Sequence, residues 1–308
     1  MMVAREDVEF RSGGLRCRAW LYRPGQTDTA RRALPCIVMA HGLGGTRSAR
    51  LAPYAERFAA AGLMVLLFDY RHFGDSEGSP RQLVSIRRQL QDWAAAIACA
   101  RGIDGVDPGR IALWGSSFSG GHVIVAAARD GKVAAVSAQG PMMDGLAATL
   151  NIIRYAGLGM ALRLVARGLR DAAQALVGLP PVYVPLVAPP GRLATMSTPD
   201  AEPGYLAIAG PGWRNEICAR FALTLATYRP IAHAARIDCP ALVAVCTSDS
   251  VAPAGAAIET ARRIGARALL QHYDFGHFDI YVGSGFERSV GDQLEFFRRA
   301  LAPAGRAA

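Results

Sequence analysis

The stretch from Trp114 to Gly121 constrains the fold more than any other part of the chain. It reads Trp-Gly-Ser-Ser-Phe-Ser-Gly-Gly, and it follows a short apolar run, 110–113, of the length and character of a buried strand. The next residues, 122–129, have a helix-forming composition with no Gly or Pro. A strand therefore passes directly into a helix through a turn of Gly and Ser. In that setting a serine hydroxyl stands exposed above the carboxyl edge of a sheet, where it can act as a nucleophile.

Two serines in this turn fit the pattern of a nucleophile flanked by small residues. Ser117 has Gly115 two positions before it and Ser119 two positions after it, whereas Ser119 lies between Ser117 and Gly121. We favour Ser117, because Gly115 then ends the strand and supplies conformational freedom where the backbone bends. The alternative to both is a Gly-rich turn that carries an idle serine.

The segments around this turn alternate between apolar strand-like runs and helical segments. The strand-like runs are 35–40, 64–68, 110–113, 133–138, 241–246 and 267–273, and the helical segments are 50–61, 83–100, 122–129, 254–264 and 286–301. A hairpin is expected at 3–10 and 15–22, and a loop at 104–109. This alternation predicts an α/β fold with a mostly parallel, doubly wound sheet that begins with an antiparallel pair.

The alternation stops between about residues 140 and 236. Residues 142–170 are apolar and helical in character, several prolines follow, and 214–227 has the composition of another helix. A segment of this length between two strands is not expected to be a bare loop. We therefore divide the chain into a core domain, 1–140 and 237–308, and an inserted helical cap, 141–236, over the carboxyl edge of the sheet. A separate small domain is the alternative.

Two residues downstream suit the partners that a nucleophilic serine needs, a base and a group that fixes the tautomer of the base. Asp249 follows the strand-like run 241–246, and His277 lies in a Gly-bearing loop after the last strand. Both loops are expected at the sheet edge where Ser117 emerges. The order Ser, Asp, His matches that of serine hydrolases. Asp279 is an alternative acid, although it lies only two residues from the histidine.

Acyl transfer also requires hydrogen-bond donors for the oxyanion. The amide of Phe118, directly after the nucleophile, is one candidate, and the amide of Leu43 in the sequence His-Gly-Leu-Gly-Gly is the second. A phosphate cradle is an alternative interpretation of this Gly-rich stretch, but it has neither GxGxxG spacing nor the Lys-Ser/Thr of a P-loop. The remaining histidines are weaker candidates: His41 and His122 as structural residues, His72 as a residue that could touch substrate, and His233 and His272.

Five motifs in this order resemble those of the α/β-hydrolase superfamily. They are His41-Gly42-Leu43, Asp69-Tyr70-Arg71 with Gly74-Asp75-Ser76-Glu77-Gly78, the Gly115-to-Gly121 turn, Asp249 with Pro253, and Gly276-His277. Over residues 15–140 and 238–301 the chain looks most similar to the bacterial esterase, dienelactone hydrolase-like and X-prolyl dipeptidase/cocaine esterase-like branches. Dienelactone hydrolases proper use a cysteine where this chain has Ser117. The resemblance implies an α/β-hydrolase fold, a Ser-Asp-His triad and no metal or organic cofactor.

Composition limits the partners that we expect. The formal net charge is +9, and Lys132 is the only lysine. The arginines are scattered, whereas a nucleic-acid-binding surface needs them clustered. No run has membrane-spanning length without a charge or Pro, and no secretory signal opens the sequence. The six cysteines lack metal-like spacing, which favours reduced thiols in a cytoplasmic protein.

These observations together predict a serine hydrolase, of carboxylesterase type, that cleaves a carboxylic ester or related acyl bond through an acyl-enzyme. Apolar residues of the cap favour an uncharged, fairly hydrophobic small-molecule substrate, although core packing or a homo-oligomer surface would explain them equally. These residues are Met142, Met143, Ile152, Ile153, Tyr155, Leu158 and Met160. Alternative activities are those of a peptidase, lactonase, thioesterase or acyltransferase. A non-catalytic binding protein on the same scaffold is the alternative from another class.

Overall fold

The computed structural model describes residues 3–25 and 33–303, and a twisted eight-stranded sheet runs through its centre. The strands of this sheet are β1 (Ala4–Ser12), β2 (Leu15–Arg23), β3 (Leu34–Ala40), β4 (Met64–Phe68), β5 (Val106–Ser116), β6 (Ala135–Gln139), β9 (Ala241–Cys246) and β10 (Ala268–Tyr273). A separate two-stranded sheet pairs β7 (Tyr183–Val184) with β8 (Ile217–Cys218).

The order of strands in the large sheet is β1-β2-β4-β3-β5-β6-β9-β10. The pairs β1–β2 and β2–β4 are antiparallel, and all other neighbouring pairs are parallel. Strands β4, β6 and β9 are buried along their whole length, as expected for continuous Val-, Leu- and Ala-rich strands covered on both faces. The predicted mostly parallel sheet with an antiparallel start is confirmed.

Helices lie on both faces of this sheet and in the segment between β6 and β9. They are α1 (Ala52–Ala60), α2 (Ile86–Arg101), α3 (Phe118–Asp130), α4 (Gly145–Ala156), α5 (Leu158–Leu176), α6 (Ala201–Ile208), α7 (Ala254–Ile264) and α8 (Gly283–Ala300). Helix α1 packs against α8 on one face, and α2 packs against α3 on the other, where residues 230–236 join α3 to α7. The arrangement is doubly wound, with the carboxyl ends of the parallel strands at one edge.

The prediction of a loop at 104–109 is wrong for its last four residues, because β5 begins at Val106 rather than at Arg110. Val106 pairs with Leu34, and the register then shifts before Cys36 pairs with Ile111. The Pro-Gly pair that suggests a loop lies in this irregular stretch of the ladder. A strand tolerates such residues where the pairing is interrupted.

The segment between β6 and β9 differs most from the expectation. The long helix expected at 142–170 is two helices, α4 and α5, which meet at Gly157 with a φ of +81°. The helix expected at 214–227 is wrong, since β8 and the 3-10 turn Ala219–Leu223 lie there. Helix α6 is not expected from a sequence that contains Pro203 and Gly204, but Pro is tolerated in the first turn of a helix. In the described residues, no helix combines the length and apolarity that crossing a bilayer requires.

Candidate active site

Ser117 occupies a sharp turn between the last residue of β5 and the first residue of α3. Its φ of 57° and ψ of −119° are rarely adopted by a residue with a side chain, and such conformations concentrate at functional sites. Residues at and after the end of β6 hold Ser117 in place. The Ser117 amide donates to the Gln139 carbonyl at 2.8 Å, and the Ser117 carbonyl accepts from the Met142 amide at 3.0 Å. The end of β6 therefore stabilises the strained residue.

The glycines around Ser117 provide space. A Cβ on Gly115 would lie 2.2 Å from the carbonyl oxygen of Ser119, and one on Gly120 would lie 2.6 Å from the Cβ of Pro141. Neither glycine has a positive φ. The explanation of Gly115 by conformational freedom is therefore wrong, since the close approach of the first turn of α3 is what requires glycine there.

The structure brings Ser117, His277 and Asp249 together at the carboxyl edge of the sheet. The Oγ of Ser117 lies 3.0 Å from Nε2 of His277, and Nδ1 of His277 lies 2.6 Å from Oδ2 of Asp249. The other carboxylate oxygen of Asp249 accepts hydrogen bonds from the amides of Val251 and Ala252, at 2.8 and 2.7 Å. The Asp249 side chain is thus fixed by the loop after β9, and it can hold one tautomer of the histidine.

Burial and charge act in opposite directions on His277, whose side chain is only 3% exposed. Burial lowers the pKa of the imidazole, but the negative charge and hydrogen bond of Asp249, with the charge of Asp200, outweigh it. The net result is a pKa above the ordinary value of 6.5. A more basic imidazole is a better acceptor for the hydroxyl proton of a serine, provided that it is neutral at the working pH.

The alternative residues for these positions make other contacts. Ser119 is fully buried, and its Oγ lies 2.6 Å from the hydroxyl of Tyr70. The carboxylate of Asp279 accepts from the amide of Gly276 at 2.8 Å, within the loop that precedes His277. The geometry therefore places Ser117 rather than Ser119 beside His277, with Asp249 as the carboxylate that contacts the imidazole. Their catalytic roles stay a prediction.

The two expected oxyanion donors lie beside Ser117, since Leu43 and Phe118 line one cavity with it. A Cβ on Gly42 would lie 3.0 Å from the Cβ of Ser117, so the loop after β3 approaches the serine closely. Within residues 3–25 and 33–303, neither the Leu43 nor the Phe118 amide donates to an acceptor. The Phe118 amide is free because it belongs to the first residue of a helix. Both amides can thus donate to a bound oxygen atom.

The loop that carries Leu43 is held from two sides. Asp69 accepts from the amide of Arg47 at 2.6 Å and also pairs with its guanidinium group. From the opposite side, the Tyr205 hydroxyl donates to the carbonyl of Leu43 at 2.8 Å. Because Tyr205 belongs to α6, the segment between β6 and β9 helps to position this loop.

Three of the other histidines of the sequence analysis are engaged by the protein. His41 is buried, and its Nδ1 lies 2.9 Å from the Gly42 carbonyl oxygen. His122 contacts Tyr228 and Gln89 through its two ring nitrogens, and burial lowers its pKa to about 3. His72 contacts the Pro80 carbonyl oxygen and Arg88, which leaves no ring nitrogen for a substrate. The expectation that His72 touches substrate is not supported by this geometry.

Two cavities meet at Ser117. The larger, which we call the cap cavity, has a volume of about 640 Å³ with its mouth included and is lined mainly by α4, residues 195–198 and residues 250–252. The smaller, which we call the His277 cavity, has a volume of about 390 Å³, again with its mouth included, and is lined by His277, Phe278 and Tyr281 among others. Ser117, Leu43 and Met196 border both cavities. A group bound at Ser117 can therefore extend in two directions.

A third cavity of about 470 Å³, the inner cavity, shares Ile152, Thr195 and Leu225 with the cap cavity. Of the apolar cap residues noted in the sequence, Met142, Ile152 and Tyr155 line the cap cavity, whereas Met143 and Met160 are buried and Leu158 is 60% exposed. The residues that sequence reasoning missed are Thr195, Met196, Thr198 and Leu225. They lie in irregular chain, where no periodic pattern marks the residues that face a cavity.

Comparisons with known proteins agree with this architecture. Residues 13–158 match the X-Pro dipeptidyl-peptidase family (S15). The chain is 47% identical over 297 residues to the quorum-quenching protein AidA of Acinetobacter baumannii (strain MDR-ZJ06), across 96% of this chain and 95% of that protein. It is 28% identical over 313 residues to the thiohydrolase aneE of Aspergillus aculeatus, across 96% and 93%. The crystal structure of the α/β hydrolase GrgF from Penicillium sp. sh18 superposes with a TM-score of 0.82 at 26% identity, across 97% of this chain and 99% of that one.

Proposed function

Because the chain belongs to the α/β-hydrolase superfamily, we propose that it is a serine hydrolase that cleaves a carboxylic ester or a related acyl bond through an acyl-enzyme. The observation that carries the proposal is the hydrogen-bonded series from Ser117 through His277 to Asp249 at the meeting point of two cavities. A protein that only binds a ligand needs a cavity but has no use for a complete proton relay. The class of non-catalytic binding proteins is therefore disfavoured.

In the proposed reaction, Oγ of Ser117 attacks the carbonyl carbon while Nε2 of His277 takes the hydroxyl proton. The negative charge that forms on the carbonyl oxygen is stabilised by the amides of Leu43 and Phe118. When the tetrahedral intermediate collapses, the bond to the leaving group breaks and His277 gives its proton to that group. A water molecule then repeats the sequence on the acyl-enzyme, releasing the acid and restoring the hydroxyl of Ser117. Asp249 holds the imidazole throughout.

The position of His277 relative to the two cavities suggests which one holds the acyl group and which one holds the leaving group. The leaving group must lie near Nε2 of His277, from which it receives its proton, and only the His277 cavity has this residue in its wall among the cavities at Ser117. We therefore assign the leaving group to the His277 cavity and the acyl group to the cap cavity. The cap cavity has apolar walls with a few hydroxyl and amide groups, and no charged residue of the described ranges 3–25 and 33–303 lines it. This composition favours an uncharged, fairly hydrophobic acyl group.

The inner cavity extends the proposed acyl site. Its walls are largely apolar, and it adjoins the cap cavity at Ile152, Thr195 and Leu225. A short acyl chain fits within the cap cavity, and a longer chain would pass these three residues. In this proposal, residues 141–236 form a cap whose inner surface selects the acyl group.

The names of two relatives suggest further classes of acyl substrate to test. One relative is a quorum-quenching protein and another is a thiohydrolase, so a quorum-sensing molecule and a thioester are candidate substrates beside simple esters. Hydrolysis of a lactone or a peptide bond, or transfer to an acceptor other than water, uses the same attack by Ser117. The acceptor and the leaving group distinguish these alternatives.

Labelling with a fluorophosphonate probe tests the proposed nucleophile. We expect the wild-type protein and Ser119→Ala to be labelled and Ser117→Ala to remain unlabelled. Hydrolysis of p-nitrophenyl esters from two to twelve carbons, with a charged succinyl ester as comparison, then tests the acyl site. A folded wild-type protein that is not labelled and hydrolyses none of these esters would contradict the proposal. Preferred turnover of charged or two-carbon esters would contradict only the assignment of a hydrophobic acyl group.

A further inference from the structure

Helix α5 has two separate apolar faces, and one of them points to solvent. The inner face is formed by Met160, Leu164 and Gly168, which are buried against the rest of the protein. The outer face carries large apolar side chains that are between 39% and 89% exposed: Leu158, Leu162, Val165, Leu169 and Leu176. Scattered exposed leucines are ordinary in proteins, but five large apolar side chains on one face of one helix are not.

Neighbouring segments extend this outer face into a larger surface, which we call the cap patch. Helix α4 adds Leu146 and Leu150, and the chain after α5 adds Val177 and Leu179. The nine side chains together expose on the order of 1,000 Å², compared with about 300–600 Å² for the largest apolar patch of a typical monomer. About 800 Å² on each partner is the size of a stable protein–protein interface. The patch is therefore large enough for a dimer interface.

The spacing along α5 indicates what packs on the patch. The exposed residues are separated by four, three, four and seven positions, and Ala172 fills the last interval to complete an alternation of three and four. This is the pattern of a helix that packs lengthwise against another helix.

The charged residues of α5 lie away from the patch. Helix α5 carries Arg163, Arg167 and Arg170, which lie between about a third and about half of a turn away from the exposed leucines at 100° per residue. Its one acidic residue, Asp171, is buried and paired with Arg220. A contact through the outer face of α5 would therefore bury no charged residue of this helix, as is typical of the centre of a protein interface.

We propose that two copies of this chain associate through their cap patches, with α5 of one copy against α5 of the other. A two-fold contact between identical surfaces is the commonest form of homodimer. The consequence for the site, which rests on the proposed function, comes through α4. Its outer side belongs to the patch, while Asn151 and Ile152 on the same helix line the cap cavity. Dimerisation therefore fixes the roof of the proposed acyl site.

Light scattering on a size-exclusion column tests the proposal with the full chain at concentrations from 1 to 100 µM. We expect wild-type protein to have twice the mass of one chain, 32.7 kDa. The variant Leu162→Glu places two charges in the interface of each dimer, and we expect at least about a hundredfold weaker association. The matched control is Leu269→Glu on β10, where a leucine is also exposed, at 47%, but lies outside the patch. We expect the control to remain a dimer.

The milder variant Leu162→Ser keeps the test valid if the charged variant folds poorly, as judged by circular dichroism. A monomeric wild-type protein at 100 µM, or a Leu162→Glu protein that associates as wild type does, would overturn the proposal. Binding of a monomeric wild type to phosphatidylglycerol vesicles but not to phosphatidylcholine vesicles would show that the patch meets an anionic lipid surface instead. Fluorophosphonate labelling of each sample separates the two proposals, because a dimer without labelling contradicts the function alone.

Discussion

The substitution Gly115→Ala tests whether space at the turn before Ser117 is what the site requires. The new Cβ would lie 2.2 Å from the carbonyl oxygen of Ser119 and 2.8 Å from a methyl group of Val123. Since Cβ contacts below 3.0 Å essentially never occur, the start of α3 must move away by at least about 0.8 Å. The backbone of Gly115 is otherwise compatible with alanine, because its φ is not positive.

The substitution should affect both the stability of the protein and the reactivity of Ser117. Overpacking of a buried contact of this kind lowers the free energy of unfolding by about 2–3 kcal/mol. The same shift moves Ser117 relative to His277, and a displacement of about 1 Å in a reacting group lowers the rate by about a hundredfold. We therefore expect Gly115→Ala to fold, with a lower urea midpoint, and to react with a fluorophosphonate at about a hundredth of the wild-type rate.

The control is Gly131→Ala at the end of α3. Gly131 has a φ of 68°, and a methyl group added there would have no other atom within 4 Å, so alanine strains the backbone without a steric clash. We expect it to lower the free energy of unfolding by about 1–2 kcal/mol and to leave the labelling rate unchanged. If Gly115→Ala were as stable and as reactive as wild type, the explanation by close packing would be wrong.

Two further predictions concern the histidine and the acyl site. Because a neutral His277 accepts the proton and its pKa is raised, kcat/KM should fall as the pH drops through a midpoint above 6.5. Removing the charge of Asp200 lowers that pKa, so Asp200→Asn should move the midpoint to a lower pH, and an unchanged pH profile would refute this. Ile152 lies at the junction with the inner cavity, so Ile152→Trp should block the path of a long acyl chain. We expect kcat/KM to fall at least about tenfold for p-nitrophenyl decanoate and less than about twofold for the acetate. Equal losses for the two esters would refute the proposal that long acyl chains pass Ile152.

The core of the fold can be predicted because its buried strands are recognisable in the sequence. A strand covered on both faces is a continuous apolar run, and the runs 64–68 and 241–246 coincide with β4 and β9 to the residue for this reason. The positions of Ser117, Asp249 and His277 follow from the same signal, because each one comes after a strand that ends at the carboxyl edge. Predicting that they meet in space therefore needs only the direction of the strands.

The segment between β6 and β9 cannot be predicted in the same way. Strands β7 and β8 have two residues each, which is too short for any periodicity. The residues 195–198 line the cap cavity from irregular chain, where only tertiary packing decides which side chains face inward. From the sequence, α5 is predicted only as an apolar helix. Its composition does not show which of its leucines are buried in the protein and which are exposed to solvent.

The segment between β6 and β9 forms part of the cavity wall and also influences the proposed reacting groups. Tyr205 contacts the carbonyl of Leu43, and the indole of Trp213 donates to the carbonyl of Gly44 at 3.1 Å, so this segment holds the proposed oxyanion loop. Asp200 adds to the charge that raises the pKa of His277. A change in this segment should therefore alter kcat and its pH dependence as well as the preference for one acyl group. If it acted only as a wall, Asp200→Asn would leave the pH profile of the short-chain ester unchanged while Ile152→Trp still altered chain-length preference.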